Sequence, residues 1–71
     1  MLRVETIDQA KKLQPLTNVI IDNRQQMIVN VELHYDFVLV CAYDKRLNLH
    51  NNYYFHVKGH EKAPTIRNFH N

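Results

Sequence analysis

Five histidines, one cysteine and seven carboxylates are the groups in this 71-residue chain that could act on a substrate or hold a metal. The chain has no serine, so serine-nucleophile chemistry is excluded. Cys41 is the only thiol and cannot form an internal disulfide; it lies in an alternating apolar run that places it on the core face of a strand, as a small buried hydrophobe. His56 and His60 are spaced HxxxH with His50 and His70 nearby, but Lys58-Gly59 separates the first pair and no helix is implied. A zinc site would also need Cys41 to leave the core. The carboxylates are scattered, with no pair placed for acid–base work. His34, His56 or His60 beside Arg or Lys could cleave RNA, yet the pattern as a whole points to binding, with no catalytic residue, metal or cofactor expected.

Charge indicates what would be bound. The net charge is only +2, but it is unevenly placed. Residues 1–44 hold Arg3, Lys11, Lys12 and Arg24 against six carboxylates, whereas residues 45–71 hold Lys45, Arg46, Lys58, Lys62 and Arg67 against Glu61 alone. Four of the five histidines lie in that same basic third, interleaved with Tyr53, Tyr54 and Phe55. A polyanion, RNA or single-stranded DNA, is the matching partner. No apolar run approaches membrane-spanning length and no signal-like segment opens the chain, so an intracellular protein, nuclear or cytoplasmic, is expected.

These residues are positioned by one stretch, residues 27–44. Its nine odd positions from Met27 to Tyr43 are all apolar, the two-residue period of a strand with one face on a core. A single strand of that length would reach roughly 55 Å at about 3.3 Å per residue, so it must fold back. Two strands, about 27 to 34 and 37 to 43, are expected. The parity held through His34-Tyr35-Asp36 calls for an odd-numbered turn or strong curvature. Val38, Val40 and Ala42 on the even positions imply that the second strand is covered on both faces.

Upstream, Leu2 and Val4 could form a short strand, and Thr6 to Gln9 has the form of a capping box opening a helix with Ile7, Ala10 and Leu13 on one face. Pro15 suits the start of a second helix carrying Leu16, Val19 and Ile20, with a strand over residues 19–21 as the competing reading. Asn23 to Gln26 reads as a polar loop. Downstream come a turn at Lys45-Arg46 and a strand over residues 47–57, with a bulge or tight turn at Asn51-Asn52. A loop over residues 58–64 and a short strand over residues 65–69 follow. The expected fold is one small domain, mainly β with an N-terminal helix, built on a strongly bent antiparallel sheet or open barrel.

Pro15-Leu16, Val19-Ile20, Met27 to Val31 and above all Tyr43-Asp44-Lys45-Arg46-Leu47-Asn48-Leu49 resemble the Sm and Sm-like (LSm) proteins. Their pattern is a helix opening with Pro-Leu, a bent strand pair and a DxxΦN signature. The resemblance covers about residues 13 to 50, with residues 1–14 as an N-terminal extension or helix and residues 15–71 as the Sm-like core. The glycines usual in the first turn and early in the second strand are absent; His34 to Asp36 and Val38 stand there. The second motif has two candidates, Val57-Lys58-Gly59-His60 and Ile66-Arg67-Asn68.

The resemblance implies a non-catalytic ribonucleoprotein scaffold whose subunits pair edge strands into a ring, homo-oligomeric or shared with other Sm-like subunits. It also implies a site for single-stranded, uridine-rich RNA in the loop after the second strand. There Asp44 would brace the loop, Arg46 would stack on a base, Asn48 would hydrogen-bond a base edge, and Lys58, Gly59 or Arg67 would cover the other side. Recognition of unstacked bases by stacking and edge hydrogen bonds is how RNA sequence is ordinarily read. The alternative is a small inhibitor or adaptor that docks through an exposed strand edge or an aromatic patch. Tyr53 and Tyr54 cannot both face inward, which would leave Tyr54, His56 and Lys58 on an outer face.

Overall fold

The computed structural model describes residues 1–57; the expected loop 58–64 and last strand 65–69, and with them Lys58, Gly59 and Arg67, lie outside the described residues. A helix, α1 (Ile7–Lys11), precedes strands β1 (Asn18–Ile21), β2 (Arg24–Leu33), β3 (Phe37–Asp44) and β4 (Leu49–His56). The strands form one antiparallel sheet in the order β1-β2-β3-β4, and among the described residues it is open. This is the mainly β, small antiparallel sheet with an N-terminal helix that the alternation implied.

The capping box forms. Gln9 N donates to Thr6 Oγ1 at 3.2 Å, and Gln9 Oε1 accepts from Thr6 N at 3.1 Å and from Glu5 N at 2.7 Å. Three backbone donors at the helix start are thereby satisfied, which lets so short a helix hold its shape. Ala10 is buried and Ile7 half-buried on its apolar side, and Leu13, just beyond the helix, joins them in the core. Before it, Arg3 bridges Ile20 in parallel, with Ile20 N donating to Leu2 O and Val4 N to Ile20 O, both at 2.8 Å.

Pro15 does not open a second helix. Leu16 turns into the left-handed region (φ 68°) and its N–H donates to Ile28 O at 2.7 Å, while Ile28 N donates to Thr17 O at 2.9 Å. The chain is thus committed to pairing with β2 before any helical turn can close. Val19 and Ile21 go into the core while Ile20 lies on the other face, a period of two. The residues expected to be a polar loop, Arg24 to Gln26, are instead the start of β2. The turn is Asp22-Asn23 alone, both at positive φ (57° and 60°), the two-residue geometry whose twist matches flanking antiparallel strands. Arg3 Nη1 donates to Asn23 Oδ1 at 2.8 Å and ties the N-terminal segment to that turn.

The core face of the long stretch is the odd one only in β2 beyond residue 29; before the bulge and throughout β3 it is the even one. Register shifts between Ile28 and Asn30, leaving Val29 as the extra residue of a bulge. Ahead of it Gln26 and Ile28 are buried; beyond it Val31 pairs with Val40 and packs against the core, while Leu33, paired with Val38, is exposed near the tip. A bulge inserts one residue and therefore exchanges the faces, so β2 changes parity inside the strand. The same register continues to the tip, where His34 N donates to Phe37 O at 2.9 Å. Tyr35 and Asp36 alone form the tip, in place of the odd-numbered turn expected. In β3 it is Val38, Val40, Ala42 and Asp44 that are buried. Cys41 is accordingly half-buried on the outer face opposite Asn52, not in the core.

β4 pairs with β3 in unbroken register from Asp44↔Leu49 to Phe37↔His56, so the expected interruption at Asn51-Asn52 is absent. Asn51, Tyr53 and Phe55 face the core. Tyr54 and His56 face outward, as the adjacency of the two tyrosines required. Fully buried side chains such as Ile28 and Val40 contribute about 1.5 to 3 kcal/mol each. A polar strut crosses this core. Gln26 Nε2 donates to Ile21 O (3.1 Å) and to Tyr53 Oη (2.9 Å), and Asn51 Nδ2 donates to Gln26 Oε1 (3.0 Å).

Candidate nucleic-acid interface

The β3–β4 connection, residues 45–48, is held from both of its ends by its own side chains. Asp44 is buried, and its Oδ1 accepts from Arg46 N at 2.9 Å and Leu47 N at 3.2 Å. A carboxylate removed from water is satisfied here by two backbone donors, and the loop is drawn tight around it. At the other end Asn48 sits at φ 55°, a conformation asparagine tolerates better than most residues, and Tyr43 Oη donates to its Oδ1 at 2.7 Å. Asp44 thus braces the loop through the hydrogen bonds from Arg46 N and Leu47 N.

Because Asp44 and the Asn48 carbonyl are used inside the loop, the groups left to face outward are Lys45, Arg46, Leu47 and the Asn48 amide donors. Lys45 to Asn48 are exposed. Among the described residues no hydrogen bond or ion pair engages the side chains of Lys45, Arg46 or Arg24. A cleft of about 170 Å³ lies between Arg24, Gln25, Asp44, Arg46 and Leu47. A second, of about 290 Å³, is bounded by Lys45, Tyr43, Met27 and Gln25. Gln25 lines both, with Arg24 and Arg46 at the first cleft and Lys45 at the second.

The structure therefore brings together Asp44, Arg46 and Asn48 as one loop, while Lys58, Gly59 and Arg67 lie outside the described residues. The loop follows the third strand of the sheet, because β1 stands ahead of the two strands expected from residues 27–43. Sequence reasoning missed Arg24 and Tyr43. Arg24 was hidden by the polar composition of residues 23–26, although Asp22-Asn23 is itself a turn signal that would have moved Arg24 into a strand. Tyr43 carried no signal, since its contact with Asn48 depends on the hairpin closing.

Two groups are shifted by their surroundings. Burial raises the Tyr53 phenol, an effect opposed by the Gln26 hydrogen bond and added to by Asp22. Burial, with a smaller contribution from the Glu32 carboxylate, raises the Cys41 thiol, which suits a packing residue better than a nucleophile. Among the described residues no group of three or more metal-binding side chains converges, and no helix is long and apolar enough to cross a membrane. No protein-family model, curated protein or solved structure matches the chain.

Proposed function

We propose that this chain is a non-catalytic, Sm-like module that binds single-stranded RNA at loop 45–48. The observation that carries the reading is the internal use of Asp44 and of the Asn48 carbonyl. This loop is preorganised by its own oxygens and presents Arg46, Lys45 and the Asn48 amide with nothing inside the described residues to neutralise them. Arg46 stacks on a base and supplies charge, the Asn48 amide donates to a uracil carbonyl edge, and Lys45 and Arg24 meet phosphates. Assembly with copies of itself or with Sm-like subunits proceeds through strand edges. Such pairing uses the backbone donors and acceptors of an edge strand.

The test is anisotropy of a labelled oligouridine with the full chain at several salt concentrations, with light scattering for assembly mass. Three phosphates neutralised by Lys45, Arg24 and the charge of the stacked Arg46 predict a log K against log salt slope of about −2, and Arg46→Ala reduces its magnitude by about 0.7. Asn48→Asp keeps a residue that tolerates positive φ but removes the amide donors, so it weakens uridine binding with little loss of stability. A monomer that binds no oligonucleotide at low salt refutes the reading and favours the adaptor.

A further inference from the structure

The outer face of β3 and β4 is made of four cross-strand pairs: Phe37 with His56, Leu39 with Tyr54, Cys41 with Asn52 and Tyr43 with His50. All eight are half-buried, and none is a carboxylate. Their rings form two groups. At the far end His34 stacks on Phe37 with centroids 4.3 Å apart and planes 19° apart, and Phe37 lies 5.6 Å from Tyr54. Near the loop Tyr43 lies 4.8 Å from His50. Between them lie the smaller side chains of Cys41 and Asn52.

We infer that this face extends the loop into a stacking surface, along which single-stranded RNA lays successive bases on Tyr43 and then on Tyr54 and Phe37. The inference rests on the RNA-binding reading of the loop. Tyr43 joins the two parts, since its hydroxyl holds Asn48 while its ring belongs to the outer face. From Tyr43 to Phe37 is six residues of strand, about 20 Å at about 3.3 Å per residue, so the face takes several nucleotides beyond those at the loop. Lys45 and Arg46 stand at the loop end of the face, and the Glu32 carboxylate, 3.0 Å from His34 Nε2, flanks it on the β2 side beside Leu39, its cross-strand partner.

The chemistry of the face selects the occupant. Among the eight only Leu39 is a large aliphatic side chain; the rest are rings, an amide and a thiol. Every base has a π face, and a strand face carrying aromatic rings stacks bases without needing a particular sequence. An uncharged amide such as Asn52 meets a base edge or a ribose hydroxyl without repelling phosphate.

The experiment uses the full chain with labelled oligouridines of about four and about ten nucleotides at low salt, the variants Tyr54→Thr, Tyr54→Phe and Arg46→Ala, and circular dichroism to confirm folding. Tyr54→Thr is expected to weaken the longer oligomer about tenfold, while the shorter one, which fits at the loop, is unchanged. Tyr54→Phe retains the longer oligomer's affinity. If Tyr54→Thr leaves the longer oligomer's affinity intact while Arg46→Ala weakens both, the stacking face is overturned and the loop reading stands. If the wild-type chain binds neither oligomer, both fall. A dimer that Tyr54→Thr dissociates, with RNA affinity unaltered, also overturns the inference and assigns the face to a second copy.

Discussion

Replacing Gln26 with leucine tests whether the buried polar strut holds the two hairpins together. Gln26, Asn51 and Tyr53 are each 1% exposed or less, so water cannot take over a lost partner without opening the core. The substitution removes three hydrogen bonds at once. The Tyr53 hydroxyl loses the Gln26 donor, and both polar atoms of the Asn51 side chain are then without partners, since its Oδ1 already has none. Each orphaned buried group costs about 1 to 3 kcal/mol, so the two side chains together lose roughly 2 to 6 kcal/mol. Leucine returns about 1.5 kcal/mol through better burial. The expected net loss is about 3 kcal/mol, a large fraction of the roughly 4 to 10 kcal/mol that a chain of this length holds in reserve. Urea unfolding followed by far-ultraviolet circular dichroism measures it. The decisive comparison is the triple variant Gln26→Leu, Asn51→Val, Tyr53→Phe, which removes the partners together with the group they served and should recover most of the loss. If Gln26→Leu lies within about 0.5 kcal/mol of wild type, or the three changes add without coupling, the strut carries no stability and the reasoning fails.

The Tyr53 phenol is raised by burial, so the folded state holds its proton more tightly than the unfolded chain does. Its contribution is therefore complete below about pH 10 and is lost as pH rises through the folded value. Wild type should lose stability in alkali more steeply than Tyr53→Phe, and parallel profiles would contradict the assignment. Leu16 is 76% exposed at φ 68°, so its side chain gives little in return for the left-handed strain. Leu16→Gly should be neutral or stabilising by up to about 1 kcal/mol, and a clear destabilisation in thermal unfolding would show that the leucine packs. The Cys41 thiol, raised by burial and then by Glu32, should alkylate more slowly at neutral pH than the same thiol in urea-unfolded chain, with Glu32→Gln faster than wild type; equal rates in all three would refute it.

Local signals in the sequence determined the elements whose causes are local. Thr6 and Gln9 cap a helix by themselves, the alternation over residues 27–44 makes two strands whatever they pack on, and the adjacency of Tyr53 and Tyr54 forces one of them outward. The DKRLN segment likewise predicts a turn around an aspartate, because the hydrogen bonds from Arg46 N and Leu47 N to Asp44 span only two and three residues.

Only the tertiary structure decided which face is the core. An alternating strand with apolar residues on both sides, as in β3, carries no local mark of its inner face, and the bulge at Val29 reverses the parity by a pairing choice made with β3. The same nonlocal pairing turned Pro15-Leu16 away from a helix, drew Gln26 out of an apparent loop into the core, and moved Cys41 to the outside. The candidate interface divides in the same way. Its cations and its aspartate were legible in sequence order, but Arg24 and the ring of Tyr43 joined it only when antiparallel pairing set residues some twenty positions apart side by side.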